Sequence, residues 1–184
     1  MNAISTAKPI KWTSSAIQYA IVKQFDYVKY CIVPNIYLGA DEMDIALLSP
    51  RKMLWEVEIK ISMGDWKRDT EKKKWKEGPW EYSPSRFYYA VPESLVPKGK
   101  LPNWLQSEAG VLCIGNNRER KSQPDGTMVI TDKPHVWFVR ASKALHNNKL
   151  PQKYIDEMYR KLSIRYWNMA YKKEPGDEIC LPEN

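Results

Sequence analysis

The chain has 184 residues, 43% of them hydrophobic, with 8 Trp and 11 Tyr, which indicates one globular domain and excludes a disordered or low-complexity chain. Its formal charge of +7 (29 Lys and Arg against 22 Asp and Glu) favours a polyanionic partner. Cys31, Cys113 and Cys180 are scattered, with no Cys-x-x-Cys spacing. That excludes a disulfide framework and a zinc site, and it fits a reducing cytoplasm. Residues 1–11 lack the apolar stretch of a signal peptide, and no apolar run is long enough to span a membrane.

In chain order, Thr13-Ser14-Ser15 reads as a helix N-cap, and Ala16, Ile17, Ala20, Ile21 and Phe25 recur at helical spacing. A helix is expected over 14–27. A strand over 30–38 carries Pro34, which suits an edge or a bulge. A turn at 39–42 leads to an alternating run over 43–48. Ser49-Pro50-Arg51-Lys52 then makes a hairpin turn.

The next strand, over 54–62, is the most informative stretch. Trp55, Val57, Ile59 and Ile61 alternate with Glu56, Glu58, Lys60 and Ser62. A period of two is a strand. Its polar side presents Glu56, Glu58 and Lys60 in a row, each about 6.7 Å from the next. The hairpin brings Asp44 close to Glu58, so Asp44, Glu58 and Lys60 form a compact cluster.

A helix follows over 64–75, with acids early and bases late, as the helix dipole prefers. A loop over 78–84 leads to a strand over 86–91 that Pro92 ends. A short helix is expected near Trp104, then a buried strand over 110–115. Residues 116–126 are polar and read as loop, and 128–131 with 135–139 read as a second hairpin. Pro151 opens a last helix with Ile155, Met158, Leu162, Tyr166 and Met169 on one face. No repeat is visible.

Cleaving a phosphodiester takes a Lewis acid on the non-bridging oxygens, a positioned water and help for the leaving oxygen. Mg²⁺ suits this role because it takes oxygen ligands and keeps several waters. Asp44 and Glu58 supply two carboxylates, and the Ile59 backbone carbonyl a third oxygen. Lys60 orients the water or helps to deprotonate it, and it balances phosphate charge. From spacing alone a simpler reading also fits: a solvated strand face on which Glu56, Glu58 and Lys60 pair across strands.

These residues resemble the PD-(D/E)xK nuclease superfamily, whose pattern is an Asp on one strand followed by (Asp/Glu)-x-Lys on the next. Asp44 with Glu58-Ile59-Lys60 fits it. The likeness is nearest to MmcB-like DNA-repair proteins and related phage proteins. It continues through Glu56-Val57-Glu58-Ile59-Lys60-Ile61-Ser62, Asp65-Trp66-Lys67-Arg68-Asp69 and Phe87-Tyr88-Tyr89-Ala90-Val91-Pro92, then Gly110-Val111-Leu112-Cys113-Ile114. It covers roughly residues 30–115.

The resemblance implies a restriction-endonuclease-like α/β fold. That is a mixed central sheet flanked by helices (an αβββαβ core over about 12–115), with a C-terminal helical extension over 116–184, all in one domain. It implies a Mg²⁺-dependent (or Mn²⁺-dependent) hydrolase of DNA phosphodiesters, in repair, recombination or phage DNA processing, in the cytoplasm of a bacterium or an infected host. RNA is not excluded as the substrate, and many relatives act as dimers. The alternative is a nucleic-acid-binding module on the same fold, catalytically weak or silent.

Many relatives place a Glu in the first helix. Here that helix offers Gln18, which can bond a metal-bound water. Glu56 reads either as a further metal ligand or as half of a cross-strand ion pair. Ser62 reads either as an ordinary polar residue of the strand or as a phosphate contact. Asp65 and Asp69 read as helix caps that pair with lysines near the site. Lys67, Arg68, Lys72, Lys73, Lys74 and Lys76 read either as phosphate contacts or as a solvated helix face, and Trp75, Trp80 and Tyr82 either stack on bases or pack in the core.

Overall fold

The computed structural model describes residues 12–38, 41–69, 82–122 and 128–170. Thr13 caps α1 (Ser14–Gln24) through its hydroxyl, which accepts from the Ala16 N–H. The helix stops at Phe25, earlier than expected, because Phe25 is extended and Asp26 Oδ1 takes the Val28 N–H to start a turn.

Six strands follow: β1 (Cys31–Leu38), β2 (Asp41–Leu48), β3 (Leu54–Ile59), β4 (Arg86–Pro92), β5 (Gly110–Ser122) and β6 (Met128–Arg140). They form one sheet in chain order. β1–β2, β2–β3 and β5–β6 are antiparallel, whereas β3–β4 and β4–β5 are parallel. The chain is thus a mixed α/β protein. The edge position that Pro34 suggested holds for β1.

Neighbouring residues on a strand face opposite sides, which fixes what lies on each face. Ile45, Leu47, Val57, Ile59, Tyr88, Ala90, Leu112 and Ile114 bury against Ile17, Ala20 and Ile21 of α1. The other face carries two apolar clusters. Ala46, Leu48 and Leu54 pack under Ile155 and Met158 of α3 (Gln152–Ala170). Phe87, Tyr89, Val91, Val111 and Cys113 pack under Trp66 of α2 (Met63–Asp69).

The C-terminal third departs from expectation. β5 does not end at Gly115, and residues 128–139 are not a hairpin of their own. Instead β5 continues through Asn116–Ser122 and pairs with β6 from Ser122↔Met128 to Gly115↔His135. Pro134 is tolerated within β6 because β6 is an edge strand. The region after 115 is therefore part of the sheet as well as helical. Two 3-10 turns, Glu93–Leu95 and Pro97–Gly99, replace the short helix expected near Trp104. On α3 only the first half of the expected face is covered: Ile155 and Met158 are buried, while Tyr166 and Met169 are exposed. No helix among the described residues is long and apolar enough to cross a membrane.

Candidate active site

β2 and β3 pair from Leu48↔Leu54 to Ile45↔Val57 and then part. The next pair in that register would be Asp44 and Glu58. At this point Asp44 stops behaving as a ladder residue, and its side chain takes over. Oδ2 accepts the Ile59 backbone N–H at 2.7 Å. The Lys60 N–H turns the other way, to the Ala90 carbonyl at 3.0 Å on β4. On a strand the N–H and C=O of one residue point to the same edge. The Ile59 carbonyl therefore faces the fork between β2 and β3, beside Asp44. The fork brings together the Asp44 carboxylate, the Ile59 carbonyl and Glu58.

The solvated-face reading is corrected by burial. Glu56, Glu58 and Lys60 are 4%, 3% and 5% exposed. They lie on the sheet face covered by α2 and α3, between its two apolar clusters. A buried charge must be paired. Lys60 Nζ lies 3.0 Å from Glu58 Oε2 and 3.0 Å from Asp69 Oδ1. Asp69, 1% exposed, accepts the Tyr89 hydroxyl on Oδ2 at 2.9 Å. Tyr89 stands opposite Glu58 in the β3–β4 register. The result is a buried chain, Glu58–Lys60–Asp69–Tyr89, running from the fork into the core.

This chain sets the state of Lys60. Burial pulls the ammonium's pKa down, but the charges and hydrogen bonds of Glu58 and Asp69 outweigh it and hold the pKa above the ordinary lysine value. Glu58 and Asp69 thus favour the ammonium form of Lys60. It is placed to neutralise phosphate charge and to orient a water.

Gln18 reaches the fork from the α1 side. Its Nε2 donates to the Asn35 side chain at 2.8 Å and to the Asp44 backbone carbonyl at 3.2 Å. Those bonds brace β2 at Asp44, where it parts from β3. Glu56 sits one pleat repeat back, opposite Ala46 inside the paired ladder. Ser62 Oγ accepts the Asp65 N–H at 3.2 Å and caps α2. Asp65 pairs with Arg68 at 3.7 Å on the exposed side of the helix. Lys67 and Arg68 are exposed on α2. Tyr82 packs against Tyr154 of α3 at 5.8 Å between ring centres, so it is occupied by the core. Lys72, Lys73, Lys74, Trp75, Lys76 and Trp80 lie outside the described residues.

Among the described residues, no group of three or more His, Cys, Asp or Glu side chains is arranged to hold a metal. A cation at the fork would take the Ile59 carbonyl as a third oxygen beside Asp44 and Glu58. Three hard oxygens suit Mg²⁺ or Mn²⁺, with water completing the shell. Sequence reasoning missed Tyr89, whose only signal was a tyrosine in place of an aliphatic residue on a buried strand.

No family model and no curated protein matches the chain. A solved structure does: the SPO1766 protein of unknown function from Silicibacter pomeroyi, 19% identical, with a TM-score of 0.53 over 90% of this chain and 94% of that one. At this identity the likeness concerns the fold.

Proposed function

We propose that this chain is a metal-dependent nuclease acting on DNA phosphodiesters, on a restriction-endonuclease-like arrangement of its α/β fold. The observation that carries the reading is the Asp44 carboxylate 2.7 Å from the Ile59 N–H. It sets Asp44 against the Glu58-Ile59-Lys60 strand where the ladder opens. Asp44, Glu58 and the Ile59 carbonyl would hold a divalent cation, which supplies Lewis acidity to the phosphate and acidifies a bound water. Lys60, cationic and clamped, balances the charge that develops on the phosphoryl oxygens. Gln18 keeps β2 in place at Asp44.

A second reading is favoured by one feature, the engagement of Lys60 with both Glu58 and Asp69. A lysine so fully paired suits a binding module on the same fold, catalytically weak or silent. A metal titration with labelled DNA separates the two. Binding and cutting that require Mg²⁺ and are lost in Asp44→Asn support the nuclease. Binding that survives both EDTA and Asp44→Asn, with no cutting, supports the module.

A further inference from the structure

β3, β4 and β5 run parallel, so their C-terminal ends lie at one end of the sheet. Ile59 is level with Ala90, and Ala90 with Leu112. The fork at Glu58 and Ile59 therefore opens at the end where β5 passes beyond β4. The last β4 partner of β5 is Ile114, opposite Pro92. From Gly115↔His135 to Ser122↔Met128 the two strands pair only with each other. Eight residues at about 3.4 Å each make a ribbon about 27 Å long. It is rooted two strands from β3, about 10 Å to the side.

The root is tightly packed. A Cβ on Gly115 would meet Glu93 Oε2 at 2.8 Å and the Trp137 ring at 2.9 Å. Trp137 in turn stacks on His135 at 5.5 Å. The direction of the ribbon is thus set by close contacts. Its β5 strand is polar and basic, its β6 strand begins with the apolar Met128, Val129 and Ile130, and its charged residues are Arg118, Arg120, Lys121 and Lys133 against Glu119 and Asp132. Lys133 and Glu119 neutralise each other at 2.7 Å. Four basic residues against two acidic ones leave a net excess of two positive charges, with Asp132 opposite Arg118 in the register.

We propose that this ribbon is an arm that lies in the major groove of a B-form DNA duplex beside the phosphate held at the fork, which makes duplex DNA the substrate. The inference rests on the nuclease reading, which puts a phosphodiester at Asp44 and Lys60. A two-stranded ribbon fits the major groove of B-DNA, and about 27 Å covers about eight base pairs. The deep, narrow major groove of an RNA duplex does not admit it. A single strand offers no groove at all.

The test uses the full chain and two variants. In one, residues 116–134 are replaced by Asn-Gly, joining Gly115 to its partner His135 through a tight turn. The other, Arg118→Gln/Arg120→Gln/Lys121→Gln, keeps the ladder and removes charge only. Fluorescence anisotropy measures Kd against salt for a labelled DNA duplex, its single strand and the RNA duplex of the same sequence. The full chain is expected to prefer the DNA duplex. Both variants are expected to lose about tenfold or more in duplex affinity, and the triple variant's salt slope to fall by about 2–3, with single-strand affinity unchanged. Unchanged duplex affinity and slope in the triple variant would overturn the arm, as would equal binding of the three probes by the full chain. Cutting that still needs Asp44 would then leave the nuclease reading standing. A full chain that binds none of the probes would overturn both.

Discussion

Lys60 Nζ sits 3.0 Å from Asp69 Oδ1, which joins the strand of the Glu-x-Lys pattern to the helix that follows it. The two lie nine positions apart in the chain, and both are buried. The pair ties α2 to β3 and gives the lysine a second carboxylate besides Glu58.

Asp69→Asn therefore leaves a buried ammonium with one carboxylate. The expected cost is about 3 kcal/mol in urea unfolding at neutral pH. The double variant Asp69→Asn/Lys60→Met should recover part of it, because the uncompensated charge goes too. The pH dependence has a definite sign. The folded pKa of Lys60 is raised above 10.5, so its contribution is fully present below 10.5 and is lost as pH rises through the folded value. Native stability should fall in that alkaline window, and the fall should be smaller in Asp69→Asn. Identical alkaline profiles for the two proteins would contradict the pairing.

Tyr89→Phe removes one donor from the Asp69 carboxylate and no packing volume. A hydrogen bond to a buried charged group contributes about 1.5–3 kcal/mol, so urea unfolding should show a loss of that size. A loss under about 0.5 kcal/mol would mean that the hydroxyl holds nothing.

How much of this was legible beforehand can be read from particular residues. The alternation of Trp55, Val57 and Ile59 with Glu56, Glu58 and Lys60 fixed both the strand and its polar side. It did not show that the polar side would be covered. Its covers, Trp66 and Ile155, come from separate helices, and strand periodicity says nothing about them. Asn116–Ser122 is polar throughout, so no alternation marks it. It is a strand because β6 pairs with it. Tyr89 reads as one more aromatic on a buried strand, and its role depends on Asp69, 20 residues earlier. Asp44 and Glu58 were legible as neighbours because a short hairpin leaves few registers. The parting of the strands there was not, since it rests on a side chain taking the place of a backbone acceptor.

Two glycines should respond oppositely to alanine. A Cβ on Gly110 would lie 2.3 Å from the Tyr88 ring and 2.7 Å from the Ser142 backbone nitrogen. Gly110→Ala must move backbone, so it should cost about 3 kcal/mol or more. Gly64, within α2, has nothing within 4 Å of that position. Gly64→Ala should stabilise by about 0.5–1 kcal/mol through helix propensity and a stiffer unfolded chain. Thermal unfolding of the two variants gives both signs at once.

The β1 edge is closed by α3. Lys161 Nζ donates to the Tyr37 carbonyl at 3.2 Å, and the Arg165 guanidinium donates to the Pro34 and Asn35 carbonyls. Open strand edges recruit other strands. Lys161→Ala/Arg165→Ala should therefore increase concentration-dependent self-association, seen by light scattering, with a stability loss of about 1–2 kcal/mol. A variant as monodisperse as the parent would show that the edge needs no such cover.

The most direct test of the site is cleavage of labelled DNA duplex in Mg²⁺ or Mn²⁺ by the parent, Asp44→Asn and Lys60→Ala, with Glu157→Gln on α3, where Glu157 pairs with Arg160, as control. The parent and the control are expected to cut. No cutting is expected in EDTA, and a loss of about 10²–10³-fold or more is expected in the other two variants. Cutting that persists undiminished in both Asp44→Asn and Lys60→Ala would contradict a site built on Asp44 and Lys60.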